Sequence, residues 1–145
     1  MKNLTNIKYI GVNDHKIDLF EGQYPVPNGM SYNSYAVIDE KIAIFDTVDV
    51  GFGSEWLSNL ENALSGKTPD YLIVQHMEPD HSANIHNFAV KYPDAKIVSS
   101  QKAFDMMKHY FGEDFQAKKK IVTDGEELVL GKHRLLLRFA SNFIK

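Results

Sequence analysis

Short apolar runs alternate with amphipathic stretches along this chain, in an order that predicts strands, then helix and strand by turns, then strands again. Ile7-Lys-Tyr-Ile-Gly-Val12 and Tyr35-Ala-Val-Ile38 have strand composition. Asp39-Glu-Lys41 separates the second of these from Ile42-Ala-Ile-Phe45, which is a hairpin signature. Between the first two strands, Gln23 to Asn33 holds Pro25, Pro27, Asn28, Gly29 and Asn33, a loop composition. Ser54 can cap a helix that gathers Trp56, Leu57, Leu60, Ala63 and Leu64 on one face, and Gly66 with Pro69 ends it. Tyr71-Leu-Ile-Val74 reads as a buried strand. A helix from about Ser82 to Tyr92 turns Ile85, Phe88 and Ala89 inward, and Pro93 stops it. Lys96-Ile-Val-Ser99 is the next strand, and Ser100 caps a helix carrying Ala103, Phe104, Met107, Tyr110 and Phe111 at helical spacing. Those Met and aromatic residues read as core packing. Ile121-Val122, Glu127-Leu-Val-Leu130 and Leu135-Leu-Leu-Arg-Phe139 close the chain as three short strands, with Gly131-Lys132 turning the last pair. This order specifies an α/β sandwich with mixed sheet pairing.

Composition narrows the class. A chain of 145 residues that is 43% hydrophobic can bury one real core and is short for two, so residues 1–145 are expected to form a single domain. A net charge of −3 leaves no electrostatic footprint for nucleic acid or an anionic membrane. Lys118-Lys119-Lys120 is the one basic run and reads as a solvated strand entry. No apolar stretch approaches the roughly 18 residues of a membrane span, and Met1 to Asn6 lacks the apolar centre of a signal peptide, so a cytoplasmic location is expected. With no cysteine, disulfides, thiolate ligands and a cysteine nucleophile are excluded.

The chemistry concentrates in residues 76 to 81, His-Met-Glu-Pro-Asp-His, directly behind the apolar run 71–74. A buried strand that ends abruptly in a polar loop delivers that loop to the carboxyl edge of the sheet, where α/β folds tend to place ligands. His76, Glu78, Asp80 and His81 are four metal donors in six positions, and Pro79 is expected to stiffen the loop and keep helix away from Glu78. Imidazole with carboxylate suits iron, manganese or zinc. The plain alternative is a solvated loop rich in His and acid.

The donor loop, the segment Pro-Asn-Gly-Met-Ser-Tyr-Asn-Ser-Tyr at 27–35 and Ile-Phe-Asp-Thr-Val at 44–48 together resemble the metallo-β-lactamase-like domain of flavodiiron proteins, over residues 7 to 139. The HxExDH loop is the specific part. Hydrolases of that superfamily typically carry HxHxDH, and Glu78 stands where they have the second His; an oxygen donor there favours iron over zinc. The resemblance implies an αββα sandwich of which this chain supplies the N-terminal half, a mixed sheet flanked by helices. It further implies that His76 and Glu78 bind one iron, that Asp80 and His81 bind the other, and that Asp46 supports the loop from behind the ligands. Asp46 as an ordinary strand-end carboxylate remains open beside this. Relatives of this type reduce dioxygen to water or nitric oxide to nitrous oxide, with electrons from an FMN-binding flavodoxin-like domain; the resemblance thus implies a flavoprotein or rubredoxin as electron donor. No flavodoxin-like domain is expected within these residues.

Such domains run to roughly 250 residues, and their later part supplies another His, a bridging Asp and a last His that do not occur here before Lys145. The expectation is therefore an incomplete diiron site, with at most partial iron occupancy and little activity alone. Two cations close together without a bridging carboxylate repel strongly. His15, His86, His109 and His133 have plainer accounts as replacements. His86 lies roughly 140° around a helix from His81, His109 is on the polar side of its helix, and His133 follows a turn; His15 could come near the site. A lone half-sandwich is also expected to bare an apolar sheet face and an edge strand, Leu135-Leu136-Leu137 among it, and a homodimer would cover that face. Two other readings stay open: a metal-dependent hydrolase using a metal-bound water, against which Glu78 counts, and a non-catalytic module completed by a partner chain. Gly51-Phe-Gly53 lacks the GxGxxG pattern of nucleotide binding.

Overall fold

The structure, a computed structural model, describes residues 7–14, 19–20, 24–25, 30–48, 50–75, 79–112, 115 and 118–138. Six strands form the main sheet: β1 (Ile7–Tyr9), β6 (Tyr35–Val37), β7 (Ala43–Phe45), β8 (Tyr71–Ile73), β9 (Lys96–Ser99) and β10 (Lys119–Ile121), hydrogen-bonded side by side in that order. β6 runs antiparallel to both its neighbours, β1 and β7, and β7 to β10 run parallel. Each parallel step is bridged by a helix, α1 (Gly53–Leu64), α2 (Pro79–Lys91) and α3 (Gln101–Phe111), which is what a parallel connection requires. The expected mixed sheet flanked by helices is thus the observed architecture.

Alternation along the strands divides the core in two. Ala36, Ile44, Leu72 and Ile97 face the helices and pack with Trp56, Leu60 and Leu64 of α1, Ile85 and Phe88 of α2, and Phe104 and Met107 of α3. Their neighbours in sequence, Val37, Ala43, Ile73 and Val98, face the other way. There they meet the hairpin β11 (Glu127–Val129) and β12 (Arg134–Leu136), which covers them with Leu128, Leu130 and Leu137. The expectation of a wholly bare second face is thereby corrected: Leu137 is buried and Leu135 half-buried, while Leu136 stays exposed at 55%. Among the described residues, the part of this face left uncovered is the margin formed by Ile7, Tyr9 and Tyr35.

Several local expectations need correction. The run 7–12 breaks at Ile10-Gly11 into β1 and β2 (Val12–Asp14), because the Ile10 amide leaves the ladder to reach the Ser34 carbonyl at 2.8 Å. The 23–33 segment is not all loop, since β4 (Tyr24–Pro25) pairs with β3 (Leu19–Phe20) and β5 (Met30–Tyr32) pairs with β2. Ser54 does not cap α1. Phe52 occupies that position without a side-chain cap, at the end of a 3₁₀ turn (Val50–Phe52), and Ser65 in the left-handed region (φ 51°) ends the helix one residue before Gly66. Ser100 does cap α3, its hydroxyl accepting the Ala103 amide at 3.1 Å. The side chains of Tyr110 and Phe111, and all of residues 139–145, lie outside the described residues.

The hairpin is fastened to the sheet by a contact between residues 94 positions apart: His133 donates from Nδ1 and from its backbone amide to Asp39 Oδ2, each at 2.7 Å. Asp39 Oδ1 accepts the Glu40 amide at 2.7 Å. Gly131 (φ 131°) passes so close that a Cβ there would lie 2.6 Å from Asp39 Oδ1.

Candidate metal centre

The carboxyl edge of the parallel strands is where buried polar side chains gather. Among the described residues the buried polar or charged ones are Ser34, Thr47, Asn84 and Ser99. Ser34 and Thr47 flank the end of β7, Ser99 ends β9, and Asn84 lies in α2 where that helix leaves the β8 loop. Polar groups in a dry core are costly unless bonded; Ser99 bonds Val74, just before His76, while Ser34 and Asn84 bond the stretch after β7.

β8 is held on both sides as it exits. A regular parallel ladder would continue from Asp46 N donating to Ile73 O, observed at 2.9 Å, to Gln75 N donating to the Asp46 carbonyl. Instead Asp46 adopts φ 58°, a left-handed conformation that Asp tolerates better than most residues. Its carbonyl turns to the Ser34 hydroxyl (2.9 Å), and its carboxylate Oδ1 takes the Gln75 amide (2.8 Å) in the carbonyl's place. Ser34 Oγ also lies 2.9 Å from the Phe45 carbonyl and accepts the Trp56 indole N–H at 2.9 Å, which anchors it to α1. On the other flank Val74 N donates to Val98 O at 2.9 Å, and the Ser99 hydroxyl donates to Val74 O at 2.6 Å. The two residues that precede His76 are therefore each held by the side chain of a neighbouring strand end, Val74 by Ser99 and Gln75 by Asp46, with Ser34 in turn holding the Asp46 carbonyl.

The far end of the loop is secured differently. Pro79 is the first residue of α2, where its fixed φ and missing N–H cost nothing, and Glu78 before it lies outside the described residues. The expectation that all four donors stand out from helix is thus corrected, because the backbones of Asp80 and His81 lie in the first turn of α2. Asn84, fully buried, donates from Nδ2 to the Val48 carbonyl at 2.8 Å and accepts from Asn87 Nδ2 at 3.2 Å. Gly53 is packed against it so closely that a Cβ would strike Asn84 Oδ1.

His76 and Glu78, the side chains of Asp80 and His81, and His15 lie outside the described residues. Among the described residues no group of three or more His, Asp or Glu could hold a metal ion. His86 and His109 are exposed, and His133 is engaged with Asp39. Sequence reasoning singled out Asp46 but missed Ser34, Ser99 and Asn84. Ser and Asn at element ends are too common to mark without knowing what faces them. No helix among the described residues is long and apolar enough to cross a membrane.

The profile described as "ODP family beta lactamase" matches residues 30–144. The chain is 35% identical over 131 residues to a nitric oxide reductase of Moorella thermoacetica, covering 89% of this chain and 32% of that protein. It is 32% identical over 135 residues to an anaerobic nitric oxide reductase flavorubredoxin of Salmonella arizonae, covering 92% and 28%. Among solved structures it superimposes on the rubredoxin oxygen:oxidoreductase of Desulfovibrio gigas with a TM-score of 0.83 at 31% identity (92% and 33% covered). The flavodiiron protein of Giardia intestinalis gives a TM-score of 0.82 at 30% identity (90% and 32% covered). The chain spans about a third or less of the length of these relatives. With the family match and these likenesses in agreement, the chain belongs to the ODP family of β-lactamase-like domains, the metallo-β-lactamase-like part of flavodiiron proteins and flavorubredoxins.

Proposed function

We propose that this chain carries the first ligand loop of a diiron site of the kind that serves oxygen or nitric oxide reduction, with His76 and Glu78 directed to one iron and Asp80 and His81 to the other. One observation carries the reading: the Asp46 carboxylate takes over a ladder position and holds Gln75, the residue directly before His76. A side chain spent on the entry to a loop is what precise ligand placement calls for. The donor set fits iron, being two imidazoles and two carboxylates in a chain without cysteine. A bound iron pair supplies redox chemistry toward a small diatomic substrate. The protein's part is placement, with Asp46 and Ser99 fixing the loop entry and α2 fixing its exit.

On this reading the 145-residue chain binds at most one iron, loosely, and does not reduce oxygen or nitric oxide at an appreciable rate, since two close cations with four donors and no bridging carboxylate repel. A homodimer covering the exposed margin of the sandwich face, and a flavoprotein or rubredoxin as electron donor to the complete site, belong to the same reading. Metal analysis after anaerobic Fe(II) loading and desalting tests it. The expected content is one iron or less per chain, falling to background in His76→Ala, with Glu78→His moving preference toward zinc. Two retained irons per chain, or a content unmoved by His76→Ala, would overturn it.

A further inference from the structure

We infer that Asn84 is a positioning residue for the metal loop: it sets the first turn of α2, and with it Asp80 and His81, against the segment that follows β7. The inference rests on the metal-site reading above and adds a residue to it. Asn84 is buried in an otherwise apolar helix face, where Ile85, Phe88 and Ala89 are its buried neighbours. Its amide is used to tie α2 to the Val48 carbonyl across 36 residues of sequence. Val48 lies two residues after Asp46, whose carboxylate holds the entry of the loop. One short stretch, Asp46 to Val48, thus grips both ends of the donor loop: the entry through Gln75, the exit through Asn84.

Two further features fit a positioning role better than general packing. Gly53 leaves the space that the Asn84 side chain fills, so the start of α1 is shaped around that amide. Asn87, one turn on, donates to Asn84 Oδ1 and fixes which way the amide faces, presenting Nδ2 to Val48. An apolar residue of similar volume would pack in this place but would leave the Val48 carbonyl unpaired and the register of α2 against the β7 exit unspecified.

The test uses the full chain with Co(II) alone as the probe, read by its visible ligand-field spectrum during anaerobic titration, together with thermal melting. In Asn84→Ala and in Gly53→Ala, which displaces the amide without removing it, affinity for Co(II) should fall by about 10-fold or more and the spectrum should change shape. Asn87→Ala, which frees the amide's orientation only, should give a smaller loss. A loss of thermal stability alone, with affinity and spectrum as in the unmodified chain, overturns the inference and assigns Asn84 to packing. If the unmodified chain binds no Co(II), the metal-site reading itself fails, and this inference with it. Should the substitutions prevent folding, hydrogen exchange on the unmodified chain decides: Co(II) should slow exchange across residues 46–53 as well as 79–84, and protection confined to 79–84 overturns the coupling.

Discussion

Asp46 shows how much one side chain can decide. Its left-handed φ diverts a carbonyl that would otherwise continue the β7–β8 ladder, and its carboxylate replaces that carbonyl as the acceptor for Gln75. Asp46→Ala keeps the awkward conformation and loses the acceptor, leaving the Gln75 N–H at the sheet edge without it. The expected cost is about 1–3 kcal/mol in denaturant unfolding, with a fall of about 10–100-fold in metal affinity. Asp46→Asn retains an Oδ1 acceptor and the tolerance for left-handed φ, so it should keep most of the stability; any loss it shows in metal affinity then measures the carboxylate's charge. If the Ala and Asn variants lose affinity equally, the hydrogen bond to Gln75 is not what orients the loop. Asp46 was legible as a candidate because it ends an apolar run ahead of a donor-rich loop. Its conformation was not, because the left-handed turn depends on Ser34, 12 residues earlier, receiving the diverted carbonyl.

At the scale of elements, periodicity placed all three helices and the strands of the main sheet, and it failed where a single residue or a distant partner decides a boundary. Helix is expected only from about Ser82, yet Pro79 opens α2, since proline suits the first helical position as well as it resists the middle of a helix. The β11–β12 hairpin was legible as a hairpin, but its destination was set by Asp39 and His133, whose pairing no local pattern announces. The hydrogen bonds from His133 hold the Asp39 carboxyl down at about 2, below the 3.8 of an ordinary aspartate. The folded state thus favours the ionised form, so this contribution to stability is complete above about pH 4 and is lost as the pH falls toward 2. Asp39→Asn should be less stable than the unmodified chain at pH 6, and the difference should shrink steadily between pH 4 and pH 2. Parallel stability curves for the two proteins across that range would remove the clasp from the account.

On the scale of the whole molecule, what remains exposed matters more than what is buried. The hairpin covers the sheet from Val37 of β6 to Val98 of β9, but toward β1 Ile7, Tyr9 and Tyr35 are 41%, 49% and 41% exposed. The register places them on one face: Tyr9 lies opposite Tyr35 and Ile7 opposite Val37. The two tyrosine rings meet edge to face with centroids 5.4 Å apart, a rigid aromatic surface of the kind that anchors interfaces. Beside it, β1 is paired on one side only among the described strands, while at the opposite margin Lys119 and Lys120 put charge on the β10 edge. Association should therefore proceed through the tyrosine margin and not through β10. Sedimentation of the proposed homodimer should give a concentration-dependent two-chain species, with Tyr9→Lys or Tyr35→Lys weakening it by about 10-fold or more and Lys120→Glu leaving it unchanged. A chain that sediments as a single copy at every concentration, or a dimer indifferent to both tyrosine substitutions, would show that the margin left open by the hairpin is not where two copies meet.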